Sequence, residues 1–135
     1  MVRNGDAHLK NFGLLYRSQS DIWLAPMFDV VTTAIYRYTQ YNGGQELEDR
    51  TLALKLFSGK HATKAYPTTV ELLAFGSKVC NVSAPAKVLL RIAQGMRQTL
   101  QDARSDERIP RDLLTKIREA WASGLEYAEN AAGSK

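Results

Sequence analysis

The sequence predicts a mainly α domain with a small β-hairpin near its start. Two short aromatic or β-branched runs, Phe12 to Tyr16 and Ile22 to Ala25, flank the polar turn Arg17 to Asp21, the pattern of a hairpin. From Thr68 onward apolar residues recur at helical spacing in three successive stretches. Helix-start signals stand at the head of each: Thr68 with Glu71 after Pro67, Ser83 with Pro85, and Pro110. Residues 1–135 read as a single domain, with a loop and hairpin at 1–29 and a helical body at 66–130.

Taken in order, residues 1–11 are polar and form a loop. Pro26 ends the second strand because it removes a donor from any ladder. Asp29 to Tyr38 reads as a helix, with Val30, Val31, Ala34, Ile35 and Tyr38 on one face. Tyr41 to Gln45 is a loop made mobile by Gly43 and Gly44. Residues 51–57 alternate only partly and read as a short strand or a helical turn. The Thr68–Glu71 capping box opens a helix that runs to about Cys80. Ser83 caps the next helix, whose stripe is Val88, Leu89, Ile92, Ala93, Met96 and Leu100. Pro110 opens the last helix, where Leu113, Leu114, Ile117, Ala120, Trp121, Leu125 and Ala128 keep the period, and Gly133-Ser134-Lys135 frays. Trp23 is expected against the helical body, and Cys80 inside the core.

Composition excludes several classes. With 44% hydrophobic and 24% charged residues the chain is globular rather than disordered. No apolar run reaches the roughly 18 residues of a membrane span, and no basic-then-apolar leader opens the chain. The single cysteine rules out an internal disulfide framework and fits a reducing cytoplasm. His8, His61 and Cys80 lack zinc spacing. The net charge of +4 is spread among acids, as in Arg104, Arg108 and Arg111 beside Asp106, Glu107 and Asp112. Mixed signs at helical spacing make a solvated face, which argues against direct nucleic-acid binding. Lys55, Lys60, His61 and Lys64 form a basic run that reads as solvated surface.

The chemistry lies in Asn4-Gly5-Asp6-Ala7-His8-Leu9-Lys10-Asn11, the hairpin, and Pro26-Met27-Phe28-Asp29. Asn11 precedes the first strand and Asp29 follows the second. Antiparallel pairing brings those ends side by side, about 5 Å apart. An amide oxygen and a carboxylate placed together suit Mg²⁺, which leaves the rest of its shell to water and phosphate. Asp6, on the loop entering the same end, can orient or deprotonate an acceptor hydroxyl. Phosphoryl transfer on the protein-kinase plan needs this trio: a catalytic Asp6 with metal ligands Asn11 and Asp29. His8 and Lys10 are supporting candidates, His8 as a fixture of the loop and Lys10 leaning toward the transferred phosphate. Taken singly, Asn4-Gly5-Asp6 is also a good turn, and Asp29 a good N-cap for a following helix.

The run Asn4 to Phe12, followed by Leu24 to Val30, Leu52 to Leu56 and Ala65-Tyr66-Pro67, resembles the C-terminal part of the HipA family, the toxin kinases of bacterial type II toxin–antitoxin systems. The resemblance covers nearly the whole chain. It implies the C-lobe portion of a protein-kinase-like fold and ATP-dependent phosphorylation of serine or threonine. Asp6 would be the catalytic aspartate, with Asn11 and Asp29 on Mg²⁺. Phe28 stands where the family usually has tyrosine. The implied partners are a small helix-turn-helix antitoxin and, as substrate, a protein of translation such as an aminoacyl-tRNA synthetase.

A kinase on this plan also needs a glycine-rich loop, a strand lysine and its partner carboxylate ahead of the catalytic loop. Residues 1–3 cannot hold them. Gly59-Lys60 does not form a P-loop, because Leu54 and His61 stand where glycine and Ser or Thr would be required. The expectation is therefore a catalytic and metal-binding segment that is incomplete, and inactive alone, without an upstream nucleotide-binding lobe. The alternatives are a fragment of a small-molecule or lipid phosphotransferase, and a non-catalytic module that binds the antitoxin or another partner.

Overall fold

The computed structural model describes residues 1–48, 50–60 and 62–133. His61 of the basic run, and Ser134 and Lys135 of the fraying end, lie outside the described residues. The first hairpin pairs β1 (Leu14–Ser18) with β2 (Asp21–Leu24). Leu14 faces Leu24, Leu15 faces Trp23 and Tyr16 faces Ile22, and an irregularity between Tyr16 and Ser18 precedes the turn. The hairpin is where the sequence places it, shifted by one or two residues.

A second antiparallel pair follows where a helix was expected. Asp29 to Tyr38 forms a single 3₁₀ turn, Thr33–Ile35, and then β3 (Arg37–Thr39). β3 pairs with β4 (Glu46–Glu48), Tyr38 opposite Leu47. The physical reason lies in Val30, Val31, Thr32, Thr33 and Ile35. These β-branched side chains resist the helix and suit extended chain. The expected loop at 41–45 is the turn of this hairpin, with Gly43 at φ +80°. Residues 51–57 form neither a strand nor a helix, and the segment is tied down by one antiparallel bridge, Thr51 to Ala65. The described chain is thus mixed rather than mainly α, with three helices and two small two-stranded sheets.

The helical body follows the sequence closely. α1 (Thr69–Ala74) starts at Thr68, whose hydroxyl accepts from the Glu71 amide while the Glu71 carboxylate accepts from the Thr68 amide at 2.8 Å. The Thr68 amide, and with it the Thr68 hydroxyl donating to the same carboxylate at 2.8 Å, hold the Glu71 carboxyl below its ordinary pKa. α1 runs on into a π turn, Phe75–Val79, where Gly76 leaves room for Pro85. α2 (Pro85–Asp102) begins after Ala84, which has no side-chain cap bond, so Ser83 is not its cap. The start rests instead on Pro85, pre-set to helical φ. α3 spans Arg111–Gly133.

The core lies between α2 and α3. Leu89 and Ala93 pack against Tyr127, Ala128 and Ala131, with Met1, Leu72 and Leu73 around them. Burial of a side chain such as Leu89 contributes about 1.5–3 kcal/mol. The alanines keep the helix axes close. Arg97 meets Glu129 across them at 3.0 Å, an exposed pair worth little. Two expected core residues are outside. Cys80 is exposed, because the π turn ends there and Asn81 turns the chain at φ +52°. Trp23 stays on the hairpin under the Arg17 guanidinium, 5.4 Å from its centroid, rather than on the helical body. Among the described residues no helix is long and apolar enough to cross a membrane.

α3 is also the wall that positions the chain's first residues. Gly124 is buried, and a Cβ there would collide with the Met1 backbone. Arg3 Nε donates to Ser123 Oγ at 3.0 Å. Trp121 Nε1 donates to Thr32 Oγ1 at 2.8 Å. One helix therefore anchors both the segment before Asp6 and the segment after Asp29.

Candidate active site

Two residues expected to meet do meet. Asn11 Nδ2 donates to Asp29 Oδ2 at 2.5 Å, across eighteen positions of chain. The hairpin between them is the cause: Ala25 N donates to Gly13 O at 2.8 Å, extending the ladder toward both residues. Asn11 is the one polar side chain in the buried set among the described residues. Burying an amide requires partners, and Asn11 has them on both atoms. Its Oδ1 accepts from the His8 amide at 3.0 Å, which closes the 3₁₀ turn Leu9–Asn11.

Asp29 sits at φ +55°, a left-handed conformation that costs a non-glycine residue about 1–2 kcal/mol, less for Asp than for most. No helix follows directly, so Asp29 is not an N-cap. Its carboxylate is held by Asn11, and its carbonyl accepts a long bond from Asn4 Nδ2 at 3.5 Å. Asn4 also accepts from the Asp6 amide, at 3.1 Å. One side chain thus spans from the Asp6 turn to Asp29. The Asn-Gly-Asp turn signal pointed at this residue without revealing its second partner.

Asp6 itself faces solvent, its side chain 72% exposed. His8 Nε2 stands 4.0 Å from its carboxylate, too far for a hydrogen bond. The His8 backbone, not its ring, fixes the loop: its amide reaches Asp6 O at 2.8 Å as well as Asn11 Oδ1. The ring's Nδ1 is buried with no hydrogen-bond partner among the described residues. Lys10 lies exposed on the same 3₁₀ turn.

Residues outside the motif hold the loop from behind, and sequence reasoning did not find them. Thr33 Oγ1 accepts from Gly5 N at 2.7 Å and donates to Arg3 O at 3.1 Å. On its other side Gly5 O accepts from Ala53 N at 2.6 Å. A Cβ at Gly5 would stand 2.5 Å from the Thr51 carbonyl oxygen. Gly5 is therefore required by a close approach of two backbones.

Among the described residues no cluster of three or more His, Cys, Asp or Glu side chains could hold a metal. Asn11 turns its Nδ2 toward the exposed Asp29 carboxylate, while its Oδ1 accepts from the His8 amide. Presenting two oxygens to Mg²⁺, which takes most of its octahedron from water and phosphate, would require the Asn11 amide to turn over and release both bonds. No curated protein and no solved structure matches the chain. The family model of the HipA-like C-terminal domain matches residues 1–105, from the Asp6 loop through both hairpins to the end of α2. The match covers most of the chain, and the chain belongs to the HipA family as a C-terminal part of it.

Proposed function

We propose that residues 1–29 are the catalytic and metal-binding segment of a HipA-like Ser/Thr protein kinase, built on the C-lobe of a protein-kinase-like fold. The observation that carries this reading is the Asn11–Asp29 contact, with Asp29 held left-handed beside the Asp6 turn. Asn11 and Asp29 would hold Mg²⁺, which when bound offsets the charge on the phosphates of ATP. Asp6, exposed and among the described residues hydrogen-bonded only through its backbone, is free to orient a serine or threonine hydroxyl and take its proton. His8 Nε2 stands 4.0 Å from that carboxylate, and the His8 amide holds the loop. Lys10 projects from the same turn and can approach the transferred phosphoryl group. A protein of translation as substrate, a helix-turn-helix antitoxin as partner and a cytoplasmic setting belong to this reading.

The 135 residues contain no glycine-rich phosphate loop, so activity requires a nucleotide-binding lobe. The first hairpin supports that need. It is exposed along both strands, with Tyr16 at 76% and Met27 beyond it at 81%. Apolar surface of this extent marks a contact face. The same observation supports a second reading, a non-catalytic module that docks a partner through the hairpin. The test supplies a HipA-type nucleotide-binding lobe, fused or co-expressed, and assays phosphorylation of a Ser/Thr peptide library with ATP and Mg²⁺. The chain alone is expected to give background and the complemented protein to give peptide phosphorylation. A complemented, folded complex that modifies only lipid or aminoglycoside would favour the small-molecule phosphotransferase. One that modifies nothing would favour the docking module.

A further inference from the structure

A cavity of about 800 Å³ opens between the second hairpin and α3, apart from the Asn11–Asp29 pair. Its size is that of a small-ligand site. Arg3, Arg37, Arg50 and Lys116 line it, against Glu46, Glu48 and Glu119. Glu48 is already engaged: Arg50 reaches it at 3.2 Å and Arg37 at 3.7 Å. Four cations thus face three carboxylates, and two of the cations share the single carboxylate of Glu48.

Arg3 is the distinctive member. Its guanidinium lies over the Tyr66 ring at 4.5 Å and over the Tyr127 ring at 5.6 Å. Tyr127 is itself fixed, its hydroxyl donating to Pro67 O at 2.6 Å. Ser123 Oγ takes the Nε proton of Arg3. The two terminal nitrogens have no hydrogen-bond or ion-pair partner among the described residues. A guanidinium stacked on two rings and pinned at Nε presents its terminal fork in a fixed direction, the geometry that takes a carboxylate or phosphate end-on. Arg3 also carries backbone strain at φ +57°, held by Thr33 Oγ1 and the Ala34 amide on its carbonyl. Strain of this kind persists where the surroundings over-determine a side chain's position.

We infer that this cavity is an oxyanion site in which the fork of Arg3, assisted by Arg37, Arg50 and Lys116, binds a carboxylate or phosphoryl group. The ligand is a compact anion or the acidic group of a longer molecule, and the stacked tyrosines shield the pair from water. The site does not depend on the phosphoryl-transfer reading, because none of these side chains belongs to the Asp6 trio. Its carbonyl, however, is tied through Thr33 to Gly5, so an occupant would bear on the loop that carries Asp6.

The test titrates the full chain with glutarate and, separately, with inorganic phosphate at constant ionic strength, following the Arg3 Nε–H and Ser123 signals by NMR. Saturable shifts at these residues are expected with at least one anion. Glutarate alone would assign the site to carboxylates, and phosphate alone to phosphoryl groups. Arg3→Gln should weaken binding about tenfold or more, the loss of charge-assisted bonds. Arg50→Gln, which leaves the stacked pair untouched, should weaken it about threefold through the lost field. Absence of saturable shifts at Arg3 up to about 10 mM of either anion, or equal affinity in a folded Arg3→Gln, would overturn the inference. If Arg3→Gln does not fold, unchanged affinity in Arg50→Gln together with shifts mapping away from Arg3 would do the same.

Discussion

Asp6→Asn in the lobe-complemented kinase is expected to lower peptide phosphorylation by about 10²–10⁴-fold, the contribution of a positioned general base. The substitution keeps the shape of the side chain and removes its ability to hold a proton. Asp6 enters the fold through its backbone, with its amide on Asn4 Oδ1 and its carbonyl on the His8 amide. Its carboxylate is exposed. The variant should therefore fold as the parent does, and its melting temperature should stay within about 1 °C, as for a surface change. Nucleotide affinity should also be unchanged, because Asp6 is not assigned to ATP. The measurement is a single-turnover rate at saturating ATP beside a nucleotide titration. A normal rate in Asp6→Asn would remove the general base from this loop, and a rate loss with equal loss of nucleotide affinity would move Asp6 to binding.

Gly5→Ala should destabilise the fold by about 2–3 kcal/mol, the upper part of the range for overpacking. The new methyl would meet the Thr51 carbonyl oxygen at 2.5 Å and Thr33 Oγ1 at 3.0 Å. The first of these is backbone, held by the Thr51–Ala65 bridge, and cannot swing aside as a side-chain tip can. Relief would require the Asp6 turn to move away from Ala53 and Thr33, breaking bonds of 2.6 and 2.7 Å. Gly95→Ala is the internal contrast. It lies in α2 with nothing within 4 Å of the added carbon. There alanine should stabilise by about 1 kcal/mol through helix propensity. Urea unfolding of the two variants should thus move the midpoint in opposite directions. A Gly5→Ala midpoint equal to the parent's would mean that the Thr51 backbone does not press on the loop.

The Asn11–Asp29 contact was more legible than the fold around it. Asn11 and Asp29 could be paired from sequence because a hairpin of matched arms forces its ends together, whatever lies outside. The helical body was legible because Thr68, Glu71, Pro85 and the alanine-rich stripes combine local propensity with period. The stretch from Val30 to Tyr38 was not, because its apolar positions fit a helical face while its β-branched side chains favour extended chain. What settles it is pairing with Glu46–Glu48, a partner beyond the reach of local pattern. Arg3, Thr33 and Gly124 were missed for a related reason. Each matters through a contact set by how α3 lies against the chain's first residues, and nothing in the identity of a lone Arg, Thr or Gly announces such a contact. Cys80 and Trp23 were placed inside on hydrophobicity alone, which is a one-way rule.

If Asn11 and Asp29 together hold a divalent cation, Mn²⁺ reports on it directly, because it broadens NMR signals near its site. In the 135-residue chain, substoichiometric Mn²⁺ should broaden the Asn11 side-chain amide and the backbone amides flanking Asp29 first. Mg²⁺ should reverse the effect by competition. Asp29→Asn should abolish the local broadening, and Asp6→Asn should largely keep it, since Asp6 is the base and Asp29 the ligand. Broadening centred elsewhere, or unchanged at Asn11 in Asp29→Asn, would contradict the account.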